Sequence, residues 1–126
     1  MKLNVVFPMA GISSLSKELD YPYPTPLVEL HGRTLIELVI SQFNFISPDI
    51  NFNFIISKDD CMNFNLDRCI KSSFKGKNLN IISLENPTDG ALCSVMRCID
   101  TLDHSLPIII SNYDQLFSAP SLSSYL

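Results

Sequence analysis

The chain has 126 residues, 46% of them hydrophobic and 17% charged, so it can fill a core of its own and lacks the composition of a disordered tail. Nine Lys and Arg against thirteen Asp and Glu give a net charge of -4, which argues against nucleic-acid binding through a broad basic face but leaves room for a local anion site. No apolar run approaches the roughly 18 residues of a membrane helix, and Met1–Phe7 meets Pro8 too soon to be a signal peptide.

Leu3–Phe7 is β-branched and apolar and predicts a first strand that stops at Pro8. A polar, proline-rich stretch follows to Pro26. Proline fixes φ and removes a donor, so this stretch is neither a regular helix nor a central strand. Leu15, Leu19, Tyr21 and Tyr23 give it apolar contacts, which favours an ordered loop, and long loops in compact domains usually carry function. Leu27–Leu30 reads as a short extended segment closed by a turn at His31-Gly32. Thr34 is placed to cap a helix whose apolar face is Leu35, Ile36, Val39, Ile40, Phe43 and Ile46.

Phe52–Ile56 predicts a second strand. Asp59 and Asp60 can cap a weaker helix reaching towards Phe74, and a turn at Gly76 and Asn78 leads to a third strand over Leu79–Leu84. Thr88-Asp89-Gly90 precedes a helix with an expected apolar stripe of Ala91, Leu92, Val95, Met96, Ile99 and Leu102. Pro107–Ile110 predicts a fourth strand, apolar throughout as if buried on both faces. The phenylalanines at positions 43, 45, 52, 54, 64 and 74 read as packing residues.

Strands alternating with helices predict an α/β, three-layer, mostly parallel sheet with right-handed crossovers. In such sheets ligands bind at the carboxyl ends of the strands, near a topological switch point. The loop opening Met9-Ala10-Gly11 and the segment Asn112–Gln115 lie at those ends. Asp114, directly after a buried run, is either a metal ligand or an ordinary turn residue on spacing alone. The chain has no G-x-x-x-x-G-K-[ST], no G-x-G-x-x-G after strand one and no G-x-S-x-G. Cys61, Cys69, Cys93 and Cys98 form no C-x-x-C pair, and His31 and His104 are far apart, so reduced thiols are expected and a zinc site is not. Cys98 is expected to fall off the apolar stripe of its helix. The thiols point to a cytoplasmic setting.

Six short segments in order resemble the sugar-phosphate nucleotidyltransferases, the nucleoside-diphosphate-sugar pyrophosphorylase type, and among them those of capsular polysaccharide synthesis. That family carries A-G-x-G-x-R, then G-Y and P-K-P-L-[IV], then G-[KR]-P-[ML]-I, T-x-G-[AT]-[AL] and N-x-D-Q. This chain reads Ala10-Gly11-Ile12-Ser13-Ser14-Leu15, Asp20-Tyr21, Pro24-Thr25-Pro26-Leu27-Val28, Gly32-Arg33-Thr34-Leu35-Ile36, Thr88-Asp89-Gly90-Ala91-Leu92 and Asn112-Tyr113-Asp114-Gln115. The resemblance implies a Rossmann-like nucleotidyltransferase domain over residues 1–126, truncated after about four core strands. It implies transfer of a nucleotidyl group from a nucleoside triphosphate to a sugar phosphate. Nucleotide binding would fall to Ala10, Gly11, Ser13, Thr25 and Gly90, and Mg2+ to Asp114.

Three positions depart from the pattern. Ser13 replaces the second loop glycine, Leu15 the loop arginine and Thr25 the lysine. Both cations that should face the triphosphate are absent, and removing a single electrostatic donor from such a site commonly costs about 2.7–4 kcal/mol. Weak or no catalysis is therefore expected, and no residue is assigned a catalytic role. The alternative is a non-catalytic nucleotide-binding or protein-interaction module on the same fold. The family's domain also continues beyond its N-x-D-Q strand, so an exposed sheet edge beside strand four is expected, open to self-association or a partner.

Overall fold

A computed structural model describes residues 2–10, 23–44, 46, 49–86 and 90–116. Four parallel strands form the main sheet, in the order β5-β4-β1-β6: β1 is Leu3–Pro8, β4 Ile50–Ser57, β5 Asn78–Leu84 and β6 Ile108–Ile110. A small antiparallel hairpin pairs β2 (Glu29–Leu30) with β3 (Arg33–Thr34). His31 (φ 54°) and Gly32 (φ 79°) form its turn, both in the left-handed region that two-residue hairpin loops need.

The helices cover both faces of the sheet, giving three layers. Helix α1 (Leu35–Phe43) starts at a capping box: Glu37 N–H donates to the Thr34 hydroxyl at 3.4 Å, and Thr34 N–H donates to the Glu37 carboxylate at 3.2 Å. Its buried face, Leu35, Ile36, Val39, Ile40 and Phe43, is the expected one except for Ile46, which packs against the core from beyond the helix end at Phe43. Between Ser57 and Phe74 the chain makes two helices instead of one. Ser57 caps α2 (Lys58–Phe64), with Asp59 and Asp60 in the first turn rather than at the cap. Asn65 then takes the left-handed conformation (φ 52°, ψ 39°), which ends α2 and begins α3 (Leu66–Ser73). Asparagine tolerates that conformation better than most residues, which is why the break falls there.

Helices α1 and α3 enclose the larger core with the odd-numbered side chains of β1 and the even-numbered ones of β4: Val5, Phe7, Phe52, Phe54, Leu66, Ile70 and Phe74 belong to it. Phe7 and Phe54 stack with ring centroids 5.4 Å apart, and Phe43 meets Phe7 edge-on at 5.6 Å. Helix α4 (Ala91–Cys98) lies on the opposite face, where Val6, Ala10, Ile55, Val95, Cys98 and Leu102 form a second, smaller core.

Two expectations are corrected here. The side of α4 turned to the sheet carries Ser94, Val95 and Cys98, while Leu92 and Met96 are 66% and 59% exposed. Cys98 is thus a core residue, 2% exposed, and burial pushes its thiol pKa up. The small side chains at 94 and 98 let the helix approach the sheet, and tertiary contact chose that face over the more apolar one. Strand β6 is not buried on both faces: Ile108 and Ile110 are 41% and 49% exposed. Among the described residues it pairs with β1 alone, and α4 packs over β1 and β4. Only Ile109 turns to the larger core.

Candidate functional site

The sheet order creates one topological switch point. From β1 the chain crosses to β4 and β5 on one side and then returns to β6 on the other. The carboxyl ends of β1 and β6 therefore lie side by side. Adjacent crossovers leave in opposite directions there, which is where ligands bind in open α/β sheets.

Both strands are held firmly up to this end. Ser111 N–H donates to the Val6 carbonyl at 3.0 Å and extends the β1–β6 ladder past Ile110. Met9 N–H donates to the Ile55 carbonyl at 2.7 Å and extends the β1–β4 ladder past Pro8. Ala10 follows, 3% exposed in the second core, so the chain leaves β1 from a fixed point. Gly11 and Ser13, expected to line that loop, lie outside the described residues, as does Leu15.

Beyond β6, Tyr113 packs against the larger core, which anchors the turn on one side. The Asn112 side-chain amide donates to Gln115 Oε1 at 3.0 Å and closes the turn on the other. Asp114 sits between these two anchors with its side chain exposed. The sequence singled out Asn112 and Gln115 only as parts of a motif; their mutual hydrogen bond gives them a positioning role in the turn that carries the carboxylate.

Gly90 lies at the N-terminus of α4, on the chain that returns from the carboxyl end of β5. Its φ of 156° with ψ of 174° belongs to a region that only glycine occupies readily. A Cβ built on Gly90 would meet no atom within 4 Å, so its missing side chain borders open space and not packed protein. The Gly90 carbonyl accepts from the Ser94 N–H at 3.2 Å and from the Ser94 hydroxyl at 3.4 Å, which fixes the first turn of the helix. Thr25 is completely buried in a single 3-10 turn, Thr25–Leu27, whose Leu27 packs on the larger core. The topology thus gathers Ala10, Gly90 and Asp114 at the carboxyl end of the sheet, and Thr25 is a buried residue of its turn.

Among the described residues, no group of three or more His, Cys, Asp or Glu side chains comes together to hold a metal. Asp114 is a single exposed carboxylate. Such a donor fits Mg2+, which is commonly bound by one or two carboxylates together with water and substrate phosphates. It does not amount to a closed structural metal site. No helix among the described residues is long and apolar enough to cross a membrane.

No family model and no curated protein matches the chain. Solved structures do. The nucleoside-diphosphate-sugar pyrophosphorylase from Vibrio cholerae RC9 superimposes with a TM-score of 0.69 at 23% identity, over 96% of this chain and 52% of that one. The 4-diphosphocytidyl-2C-methyl-D-erythritol synthase from Anaerococcus prevotii DSM 20548 gives 0.65 at 13% identity, over 99% and 48%. Rv0371c from Mycobacterium tuberculosis H37Rv gives 0.60 at 14% identity, over 98% and 57%. At these identities the likeness is one of fold. The chain shares the α/β fold of these structures, and it spans about half the length of each of them.

Proposed function

We propose that the crevice at the carboxyl ends of β1 and β6 binds a nucleoside triphosphate as its Mg2+ complex, on a protein of the sugar-phosphate nucleotidyltransferase kind. The adjacency of β1 and β6 carries this reading, since it brings the loop after Ala10 and the Asp114 turn to one switch point. The named structures of like fold include a nucleoside-diphosphate-sugar pyrophosphorylase, which supports a nucleotide and a sugar phosphate as the substrate classes.

The roles follow from the chemistry of the positions. Backbone N–H groups of the loop after Ala10, with Gly11 and Ser13 in it, would approach the phosphates. The open space beside Gly90 leaves room for the base, and a backbone conformation that favours glycine keeps a side chain out of it. Asp114 would hold Mg2+, and the ion when bound would neutralise phosphate charge. With Leu15 and Thr25 in place of arginine and lysine, nothing at those positions stabilises the charge that develops as the nucleotidyl group moves. Binding would survive this loss better than turnover, so the chain acts as a nucleotide binder with weak or no transferase activity. Its setting would be cytoplasmic synthesis of capsular or other surface polysaccharide.

A second reading rests on a separate observation. Leu92, Met96, Ile108 and Ile110 are exposed on the α4 side of the sheet, and β6 has β1 as its one partner among the described strands. This edge and face suit an interaction module that associates with itself or another protein.

Calorimetric titration of CTP, UTP, GTP and ATP with Mg2+ separates the two. Metal-dependent binding to the wild type that disappears in Asp114→Ala supports the first reading. No heat with any nucleotide, together with concentration-dependent association in sedimentation, favours the second.

A further inference from the structure

The sheet face under α4 changes character halfway along its strands. Val6, Ile55 and Ile82, near the carboxyl end, belong to the apolar core beneath the helix. Strand side chains alternate, so Asn4, Asn51, Asn53, Asn78 and Asn80 point to that same face nearer the amino end. The register sets them in two adjacent rows: Asn4 beside Asn51 beside Asn78, then Val6 beside Asn53 beside Asn80. A parallel sheet normally has both faces covered by apolar contact, so a block of carboxamides here is unusual. The lengths explain where it falls. Helix α4 has 8 residues and so spans about 12 Å, whereas β4, also of 8 residues, spans about 26 Å. The helix roofs only the apolar half.

The carboxamides are held in place. Asn51 Nδ2 donates to Asn4 Oδ1 at 3.3 Å, and Asn4 Nδ2 donates to the Asp103 carbonyl at 2.9 Å. Asn80 Nδ2 donates to Asn53 Oδ1 at 3.3 Å, and Asn53 Nδ2 reaches the Asn51 and Val5 carbonyls at 3.1 and 3.3 Å. Asn4 and Asn53 are 2% and 3% exposed, while Asn78 and Asn80 are exposed. Above them lies an open cavity of about 530 Å³, bordered also by Lys2, Lys77, Phe52, Leu79, Thr101 and Asp103. That volume suits a small ligand.

We propose that this cavity, at the opposite end of the sheet from the nucleotide crevice, binds a neutral saccharide. Each carboxamide carries two donor hydrogens and two acceptor lone pairs, and the internal chain of bonds uses only part of them. What remains on Asn51, Asn78 and Asn80 is a mixed row of donors and acceptors, the complement of vicinal hydroxyls that both donate and accept. Charge speaks against an anion. Lys2 is offset by Asp103, and Lys77, though it borders the cavity, has its ammonium engaged elsewhere: Nζ donates to Asn44 Oδ1 at 2.9 Å and lies 5.8 Å from the Phe52 ring centroid. An apolar ligand would bury these polar groups without partners, at a penalty.

The test is a 1H–15N NMR titration of the chain with D-glucose, D-galactose, D-mannose and N-acetyl-D-glucosamine, each to about 50 mM, well above a millimolar Kd. Saturable shifts of the Asn51, Asn78 or Asn80 side-chain amides with at least one sugar are expected. Asn80→Leu alters an exposed side chain but also removes the donor to Asn53 Oδ1, so an unchanged backbone 1H–15N spectrum away from the site is required of it, and it should weaken that binding about tenfold, the effect of losing roughly one well-made hydrogen bond. Nucleotides with Mg2+ should leave these amides unmoved. The proposal is overturned if no sugar shifts them saturably, or if Asn80→Leu binds the same sugar as well as the wild type. Neither outcome touches the nucleotide reading, whose residues lie at the other end of the strands.

Discussion

Gly90→Ala tests whether the backbone at the start of α4 demands glycine. The structure separates two effects that usually arrive together. A Cβ at position 90 would meet nothing within 4 Å, so no clash enters the balance. What remains is the conformation, φ 156° and ψ 174°, for which a residue with a side chain is penalised by about 1–3 kcal/mol. An unfolding entropy of about 2.1 cal/mol/K per residue over 126 residues is about 0.26 kcal/mol/K, so the substitution should lower Tm by about 4–11 °C. Thermal unfolding followed by far-ultraviolet circular dichroism, with Asp114→Ala alongside as an exposed-site control, measures it. The control should unfold like the wild type, since surface changes away from special features usually stay within about 0.5 kcal/mol. A Gly90→Ala protein that melts with the wild type would refute the reasoning. The glycine would then serve the ligand space alone, and nucleotide affinity in the same variant would show it.

Phe54 is fully buried and stacks on Phe7 and on Phe74, so Phe54→Ala should remove about 3–5 kcal/mol in a urea titration, a large part of an ordinary domain's stability. Asp103 is held below the usual carboxylate pKa because its Oδ1 accepts from the Ser105 hydroxyl at 2.6 Å and the Ser105 N–H at 3.0 Å. A depressed folded pKa contributes stability that is present above the unfolded value of 3.8 and is lost as pH falls through the folded one. NMR titration of the Asp103 carboxyl should therefore show a midpoint below 3.8 that returns upward in Ser105→Ala; an unchanged midpoint in that variant would assign the shift elsewhere.

Much of the fold is written locally. The Thr34-x-x-Glu37 signature starts α1 where it is expected, because both partners of the capping box lie within one turn. The strand segments and their order follow from apolar runs between turn residues. The candidate site is partly legible for the same reason: Ala10 and Asp114 each follow directly on a strand, and the strand order brings those ends together. The carboxamide cavity was missed, although the alternation Asn51-Phe52-Asn53 and Asn78-Leu79-Asn80 is visible in the chain. Its meaning appears only when the register aligns the two segments side by side.

The sequence by itself determined the α/β class, the first helix and its buried face, and the strand ends at which a ligand site belongs. Each of these depends on neighbours within a few residues, or on a period that one strand or one helix imposes. The tertiary structure alone decided which side of α4 meets the sheet, turning Ser94, Val95 and Cys98 inward and leaving Leu92 and Met96 outside. It also decided that β6 exposes Ile108 and Ile110, and that five asparagines from three strands share one surface. A helix carries several faces of similar hydrophobicity, and an apolar strand fits a central or an edge position equally well. The choice among them is made by what the rest of the chain places opposite.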